Sequence, residues 1–349
     1  MPLDNEEPPY LADPDPPDGP PEQRAFAPDQ LVKCAACLRV NPPTRAACLY
    51  CAAPLPLDEQ NAALQKPLLR RLEKWEQGYN VVLAAGCAAL QDAAVVLQTA
   101  ELLRLKPEDL RRIVETGVTL PAACAASPEE ASLIRDRLAA LGVEALVIAD
   151  GELGLTVSPP KRARGLELTE EALVLHPVGG GTGCALGWGE VSLLVAGRRF
   201  VRQVEVQERK GRRPETELVD ARELSTDEGL LDIYPAHADG CWRIAAGSFD
   251  YSGLGPEKSL VTALNFSKLA EVLRGRASRA SFDDSYHRVR NALAVAWPLE
   301  QQTESRGWHR GGPGRVTTEA VIRSDNEQQF TRYSRLRRQL RLRHPELKS

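Results

Sequence analysis

The sequence of 349 residues lacks several patterns that would indicate a membrane protein or a familiar hydrolase. No apolar run approaches the roughly 20 residues that a helix needs to cross a bilayer. Only five histidines are present, and none lies at an interpretable spacing from a serine or a cysteine. We therefore expect a soluble chain without a Ser-His or Cys-His catalytic constellation.

A glycine-rich run at residues 178–183, VGGGTG, lacks the Gly-Lys-Ser/Thr ending of a phosphate-binding loop. The residues after it alternate as in a strand, whereas a phosphate loop leads into a helix. We therefore interpret the run as a hairpin turn.

Charge is distributed unevenly along the chain, although the net charge is only −4. Residues 1–30 hold eight acids and one arginine, a net of −7, whereas residues 331–349 hold seven basic residues and one glutamate, a net of +6. This polarity suggests that one end meets an anionic partner, or that the two ends meet each other. The length leaves room for two or three domains.

Two Cys-x2-Cys pairs separated by ten residues form the most specific motif of the chain. Four thiolates at this spacing can surround one Zn²⁺ tetrahedrally, and four sulfur ligands leave no open position for a substrate, so we predict one structural zinc ion. Two disulfides are the alternative; it is disfavoured because no secretory signal precedes the motif. The predicted metal ligands are Cys34, Cys37, Cys48 and Cys51.

Four further cysteines stand alone in apolar settings, which is typical of small buried residues. They are Cys87, Cys124, Cys184 and Cys241. Cysteines used in this way fit a reducing compartment, so we expect a cytoplasmic protein.

The pattern C-x2-C-x3-N-x6-C-x2-C resembles the Ran-binding-protein type of zinc finger, and residues 52–55 after it are similar to short bacterial zinc ribbons. The resemblance covers about twenty residues and implies a zinc module. RNA-binding members of that family use arginines, so it marks Arg39 and Arg45 as candidate anion or nucleic-acid contacts. Ubiquitin-binding members carry Thr-Phe where this chain has Leu38-Arg39, so the resemblance names no partner.

Composition divides the first part of the chain into three segments. Residues 1–30, acidic and rich in proline, are predicted to be disordered. Residues 31–55 form the predicted zinc ribbon. Residues 56–78 are predicted as a linker helix, because Leu64, Leu68, Leu72 and Trp75 recur at helical spacing.

Residues 79–150 read as a small α+β sandwich in the order strand, two helices, strand, helix, strand. Helix starts are indicated by KPED at 106–109 and SPEE at 127–130, and helix ends by Gly117 and Gly142. The elements YNVVL, LLRLKPEDLRRIVETG and ASPEEASLIRDRLAALGVEALVI resemble the C-terminal domain of the bacterial ribosomal stalk protein. That family recruits translational GTPases through its helical hairpin, so the resemblance implies a helix-binding surface; a rigid spacer is the alternative.

Residues 151–166 are predicted as a linker because of the Pro159-Pro160 pair. Residues 167–298 then show the period of antiparallel strands, followed by two helical stretches at 258–274 and 282–295. This order loosely resembles a bacterial pleckstrin-homology-like barrel. The predicted fold class is thus multidomain α+β: a zinc ribbon, a small βαα-βαβ sandwich and a mainly antiparallel β domain with C-terminal helices.

Residues 299–349 combine the segment GWHRGGPGR, too rich in glycine for an element interior, with a basic helix. Phe330, Tyr333, Leu336 and Leu340 share one stripe of that helix. Its arginines predict contact with nucleic acid or an anionic membrane surface, and a helix docked on the β domain is the alternative. They are Arg332, Arg335, Arg337, Arg338, Arg341 and Arg343.

The sequence therefore predicts a non-catalytic, cytosolic, bacterial-type adaptor that binds a protein partner and carries one structural zinc. A nucleic-acid- or ribosome-associated factor using the zinc ribbon and the arginine-rich tail is the second hypothesis. An enzyme of unrecognised type is the third.

Overall fold

The computed structural model describes residues 26–45, 47–53, 55–56, 67–72, 75–155, 159–210, 216–237, 240–312 and 315–343. Its fold is mixed α/β. The chain divides into two compact units, residues 1–66 and 67–349. Most of the acidic arm predicted at residues 1–30 lies outside the described residues, and Pro28–Gln30 at its end form one turn of 3-10 helix.

In the first unit, two short strands pair in antiparallel fashion around the cysteine motif. They are β1 (Val32–Lys33) and β2 (Val40–Asn41), with Val32 opposite Asn41. Four buried residues, two of them cysteines, make up its apolar core: Val32, Cys34, Cys48 and Leu55.

The second unit begins with a three-stranded antiparallel sheet and the helices that pack on it. The order strand, two helices, strand, helix, strand is the one expected from the sequence, with an added 3-10 turn at Ala88–Gln91. Its elements are β3 (Tyr79–Leu83), α1 (Ala93–Leu103), α2 (Pro107–Glu115), β4 (Leu120–Ala125), α3 (Pro128–Ala140), β5 (Ala145–Ala149) and α4 (Asp150–Leu153). The first strand, β3, lies between β4 and β5.

Local sequence explains where these helices begin and end. The Asp92 carboxylate accepts a hydrogen bond from the Ala94 amide (2.7 Å), and the Ser127 hydroxyl accepts one from the Glu130 amide (3.2 Å). Gly117 and Gly142 adopt φ values of 65° and 75°, in the left-handed region where glycine is favoured after a helix.

A larger, mainly antiparallel sheet follows. Its strands are β6 (Lys161–Leu168), β7 (Ala172–Pro177), β8 (Cys184–Gly187), β9 (Val191–Lys210), β10 (Thr216–Pro235), β11 (Trp242–Ala245), β12 (Ser281–Asp283), β13 (Glu300–Gly312) and β14 (Arg315–Asp325). They lie in the order β13-β14-β9-β10-β11-β6-β7-β8, with β12 also paired to β9. The parallel pairs are β11 with β6 and β12 with β9. Short 3-10 helices occupy Trp188–Glu190, Ala246–Ser248 and Tyr251–Glu257.

Gly197 and Gly229 lie inside the long strands β9 and β10. A Cβ atom at Gly197 would overlap the ring of Phe330, and one at Gly229 would lie 2.5 Å from the ring of Phe266. The strands continue through both positions because glycine has no side chain, so an aromatic ring can pack directly on the strand backbone.

The segment GWHRGGPGR, expected to lie outside regular elements, runs through β13 and the start of β14. Register shifts occur between Ser305 and Gly307 and between Arg310 and Gly312. Glycine is tolerated at such bulges. From Val201 onward, β9 pairs with β14 along the edge that is not paired with β10.

Three helices complete the second unit: α5 (Thr262–Arg276), α6 (Tyr286–Leu293) and α7 (Glu327–Arg343). The stripe predicted for α7 is buried, since Phe330, Tyr333 and Leu336 are each 0% exposed. These side chains belong to one hydrophobic cluster that also contains the core of the small sheet, including Leu110 and Ile113.

Two segments that the sequence predicts as linkers between domains have a different structure. Residues 151–166 contain the end of α4 and the start of β6, and Leu153 and Leu166 are buried, so apolar packing fixes much of this segment. In the predicted linker helix, residues 67–72 and 75–78 carry no helix, and residues 57–66 and 73–74 lie outside the described part of the chain. Pro67 cannot donate a helical hydrogen bond, and the amides of Leu68 and Leu69 donate instead to the Glu130 carboxylate at 2.6 and 2.8 Å.

Candidate metal centre

The two Cys-x2-Cys pairs converge on one point in the first unit. All four sulfur atoms lie within 4.8 Å of one another. The Cys34 and Cys51 sulfurs are 3.6 Å apart, and the Cys37 and Cys48 sulfurs are 3.5 Å apart. A tetrahedral ion with metal–sulfur bonds of about 2.3 Å requires sulfur separations of about 3.8 Å, so the cluster fits such an ion.

Backbone hydrogen bonds fold the two pairs into matching knuckles. The amide of Leu38 donates to the Cys34 carbonyl (2.9 Å), and the amide of Ala52 donates to the Cys48 carbonyl (3.0 Å). Leu38 and Ala52 adopt φ values of 61° and 58°, the left-handed conformation that this tight turn requires. Non-glycine residues adopt it at a cost of about 1–2 kcal/mol each, which other interactions in the module must offset.

Asn41 joins the two knuckles from a fully buried position at the end of β2. Its side-chain nitrogen donates to the Arg39 carbonyl (3.0 Å) and to the Cys48 sulfur (3.5 Å). Its side-chain oxygen accepts the Leu49 amide at 2.8 Å. A side chain in this position orients a ligand and supports its negative charge.

The surroundings of Cys48 favour its thiolate form. Burial opposes ionisation, but hydrogen bonds from the amides of Tyr50 and Cys51, together with bonds from Cys37 and Asn41, lower the pKa of Cys48 to about 6. At Cys51 the balance is reversed: a hydrogen bond from the Ala53 amide lowers its pKa, but hydrogen bonds with Cys37 and other thiols, together with burial, raise that pKa to about 12. Metal ligation needs thiolates, so Cys48 is the one of these two cysteines that is prepared as a ligand. All eight cysteines are free thiols, in contrast to the disulfide alternative.

Four apolar side chains are exposed in the described part of the first unit. Leu38, Val40, Leu49 and Tyr50 are between 52% and 65% exposed. The Arg39 guanidinium lies 4.7 Å from the centre of the Tyr50 ring, so an arginine and an aromatic ring form one exposed platform. Arg45, the other candidate contact, donates through its Nε to the Ala47 carbonyl at 3.5 Å.

The arginines predicted as anion contacts in the tail face other parts of the second unit. Arg332 pairs with Asp150 at 3.1 Å, Arg337 pairs with Asp283, and Arg343 pairs with Glu152. These ion pairs involve side chains of α7 and belong to its docking on the rest of the unit.

The other tail arginines also have intramolecular contacts. Arg335, only 3% exposed, and Arg338 approach the Tyr234 ring at 5.7 and 5.5 Å. Arg341 donates to the Ser281 hydroxyl and lies 3.5 Å from the Arg279 carbonyl. The structure thus brings the four predicted metal ligands together, whereas the predicted anion-binding arginines are spread over two units.

Sequence reasoning missed a buried polar network where the small sheet meets α7. The Asp150 carboxylate accepts hydrogen bonds from Asn80 (2.9 Å), the Gly78 amide (3.0 Å) and Arg332 (3.1 Å). The Trp297 indole donates to the side-chain oxygen of Asn80 at 2.8 Å. Its members are widely separated in sequence, so no local spacing indicates the network.

An open groove of about 720 Å³ lies beside this network in the second unit, with Leu69, Arg104, Cys124, Trp297 and Arg332 in its wall. Burial raises the pKa of the Cys124 thiol to about 12, so this thiol is protonated and unreactive at neutral pH. Three acids line the groove: Asp150 is held by the hydrogen bonds described above, Glu76 pairs with Arg70, and Glu300 lies at the groove wall.

Elsewhere in the described ranges, no other group of three or more His, Cys, Asp or Glu side chains is placed to hold a metal ion. No described helix has both the length and the apolar character needed to cross a membrane.

Comparison of the chain with protein-family models, curated proteins and solved structures gave no match.

Proposed function

We propose that this protein is a non-catalytic cytosolic adaptor of bacterial type whose zinc-bearing module binds a protein partner. The observation that carries the proposal is the exposure of Leu38, Val40, Leu49 and Tyr50 on a module of few residues. Exposed apolar side chains on a folded module are typical of protein-binding surfaces. The free cysteines support a reducing compartment.

Zinc is the metal that we propose for the site. A set of four thiolates in a closed, tetrahedral arrangement is typical of structural zinc, and iron is the other metal that commonly takes such ligands. When bound, the metal would supply most of the folding free energy of the module, because the apolar core among its described residues is small, with four buried members. The four ligands would be Cys34, Cys37, Cys48 and Cys51.

For the second unit we propose a stalk-like fold in residues 79–150 and a pleckstrin-like arrangement in residues 167–298. Their support is the order of strands and helices, together with the predominance of antiparallel pairing. The turn between α1 and α2 carries leucines in place of the glycine-rich surface of the stalk family. We therefore do not extend the proposal to GTPase recruitment.

The exposed Arg39–Tyr50 pair favours a second function, binding of single-stranded RNA by the same module. Aromatic rings stack on bases and arginines contact phosphates in such complexes. The internal pairing of the α7 arginines gives no support to nucleic-acid binding by the tail.

Affinity capture from the source cell, with and without nuclease, separates the two functions. The adaptor function predicts one dominant protein partner that survives both nuclease and about 0.5 M salt, and that is lost with Leu49→Ser. Lys33→Ala, at an exposed position of the same module, is the matched control. Capture that disappears with nuclease and falls steeply with salt would favour RNA and contradict the adaptor proposal.

A further inference from the structure

The start of α5 carries an apolar tip unlike the rest of the second unit's described surface. Leu260 is 104% exposed, Leu264 is 59% exposed and Val261 is 52% exposed. Thr262 and Ala263, between them, are exposed as well. We call Leu260, Val261 and Leu264 the apolar tip. Isolated exposed leucines are common, whereas three neighbouring aliphatic side chains held out in this way indicate a contact surface.

Hydrogen bonds hold the backbone of the tip in one conformation. Asn265, which is 4% exposed, accepts the Ser259 amide at 2.6 Å and donates to the Ser259 carbonyl at 2.8 Å. The Val261 amide donates to the Ser259 hydroxyl at 3.2 Å. The apolar side chains therefore project from a pinned turn, which lowers the entropy cost of binding.

The body of α5 anchors the tip on the large sheet. Leu269 and Leu273 are each 1% exposed in the core of the unit, and Phe266 packs against the backbone at Gly229. The helix cannot turn its apolar end inward without breaking these contacts.

The charges around the tip are balanced. Lys258 pairs with Asp250 at 3.8 Å, and Lys268 pairs with Glu257 at 3.1 Å. The helix starts at Thr262; the residue before it, Val261, provides no side-chain cap, and the first turn contains no acid. Its first amides therefore face outward beside the aliphatic side chains, an arrangement that suits phosphate oxygens lying above hydrocarbon.

The size of the tip distinguishes between the surfaces that could cover it. A stable protein–protein interface takes about 800 Å² and 20–30 residues from each partner, so at the tip it would have to extend over neighbouring charged side chains, such as Lys258 and Lys268, that already pair within the unit. A second copy of the chain would add only the same three side chains. A bilayer surface needs no shape-complementary pocket, and it combines phosphate groups with hydrocarbon at the depth of a leucine side chain.

We propose that the apolar tip inserts into the surface of a phospholipid bilayer, with Leu260, Val261 and Leu264 among the acyl chains and the start of α5 at the level of the phosphates. The insertion is shallow, because the outward-facing amides would lose their hydrogen bonds deeper in the hydrocarbon. Balanced local charge makes the contact independent of anionic lipid. This peripheral docking is separate from the zinc module and does not depend on its partner.

Vesicle co-sedimentation of the full chain tests the proposal, with phosphatidylcholine vesicles alone and with phosphatidylglycerol added. Wild-type protein is expected to sediment with both, and binding should persist at about 1 M salt, where the Debye length is about 3 Å. Leu260→Ser and Leu264→Ser should each reduce the partition coefficient about tenfold or more, and Leu260→Phe should retain binding. Leu97→Ser, at a leucine of α1 that is 54% exposed, should bind as the wild type does.

Failure of the wild type to bind phosphatidylcholine vesicles would overturn the proposal, as would equal binding by the tip variants. Binding restricted to anionic vesicles and abolished by salt would assign the contact to arginines and also contradict it. Light scattering of the same proteins without vesicles is the final measurement. If Leu260→Ser lowered the molar mass of the protein, the apolar tip would bind a second copy of the chain, and membrane docking would be refuted.

Discussion

Individual residues explain how so small a module can hold a metal. The ligands could be predicted from sequence because each knuckle is local, and two residues between cysteines suffice to define it. The role of Asn41 could not be predicted, since it depends on three hydrogen bonds that cross from β2 to both knuckles. The left-handed conformations of Leu38 and Ala52 could not be predicted from sequence either, because glycine is the residue that normally indicates such a conformation.

Replacing Asn41 by alanine should weaken metal binding without removing a ligand. The change eliminates a hydrogen bond to the Cys48 sulfur and leaves the Leu49 amide without its acceptor. Loss of such outer contacts typically costs 10–100-fold in metal affinity, so we expect a decrease of that size in competition with a chromogenic chelator. Lys33→Ala is the control, and equal metal transfer from both variants would show that Asn41 has no influence on the site.

At the scale of elements, α7 illustrates what periodicity can and cannot predict. Its apolar stripe was evident in the sequence, and Phe330, Tyr333, Leu336 and Leu340 are all buried. The partners of that stripe were not, because β9 and α6 are separate elements earlier in the chain that meet α7 only in the folded unit.

Gly197→Ala should destabilise the second unit by about 1–3 kcal/mol, because the new methyl group would overlap the Phe330 ring and force α7 away from β9. Gly275→Ala is a matched control: it lies in α5 with no atom within 4 Å of the new Cβ, and should stabilise the unit by about 0.5–1 kcal/mol. Chemical denaturation measures both. A Gly197→Ala protein as stable as the control would contradict the described packing.

The arginines of α7 distinguish a docked helix from an anion-binding one. Arg337→Gln removes the ion-pair partner of Asp283, which is 3% exposed, so we expect a loss of about 2–3 kcal/mol in the free energy of unfolding. Arg111→Gln, at an exposed position of α2, should change it by less than about 0.5 kcal/mol. If Arg337→Gln left stability intact and instead weakened binding to RNA, the tail would serve an anionic partner.

The whole molecule combines one unit built around a cysteine cluster with one built around a large core. The cysteine cluster was predictable from four residues. The extent of the second unit was not, because the Pro159-Pro160 pair suggests a boundary at 151–166, whereas Leu153 and Leu166 in that segment are buried in the unit. A single cluster then joins the small sheet to α6 and α7.

The central claim is that the four clustered thiols hold one structural zinc ion whose loss affects only the first unit. Native mass spectrometry of the full chain, with Cys48→Ser and Cys87→Ser as paired variants, tests it most directly. We predict one zinc ion per chain in the wild type and in Cys87→Ser, and none in Cys48→Ser, with the compact charge-state distribution of the second unit unchanged. Full zinc content in Cys48→Ser, or a wild-type chain that binds no metal, would contradict the account.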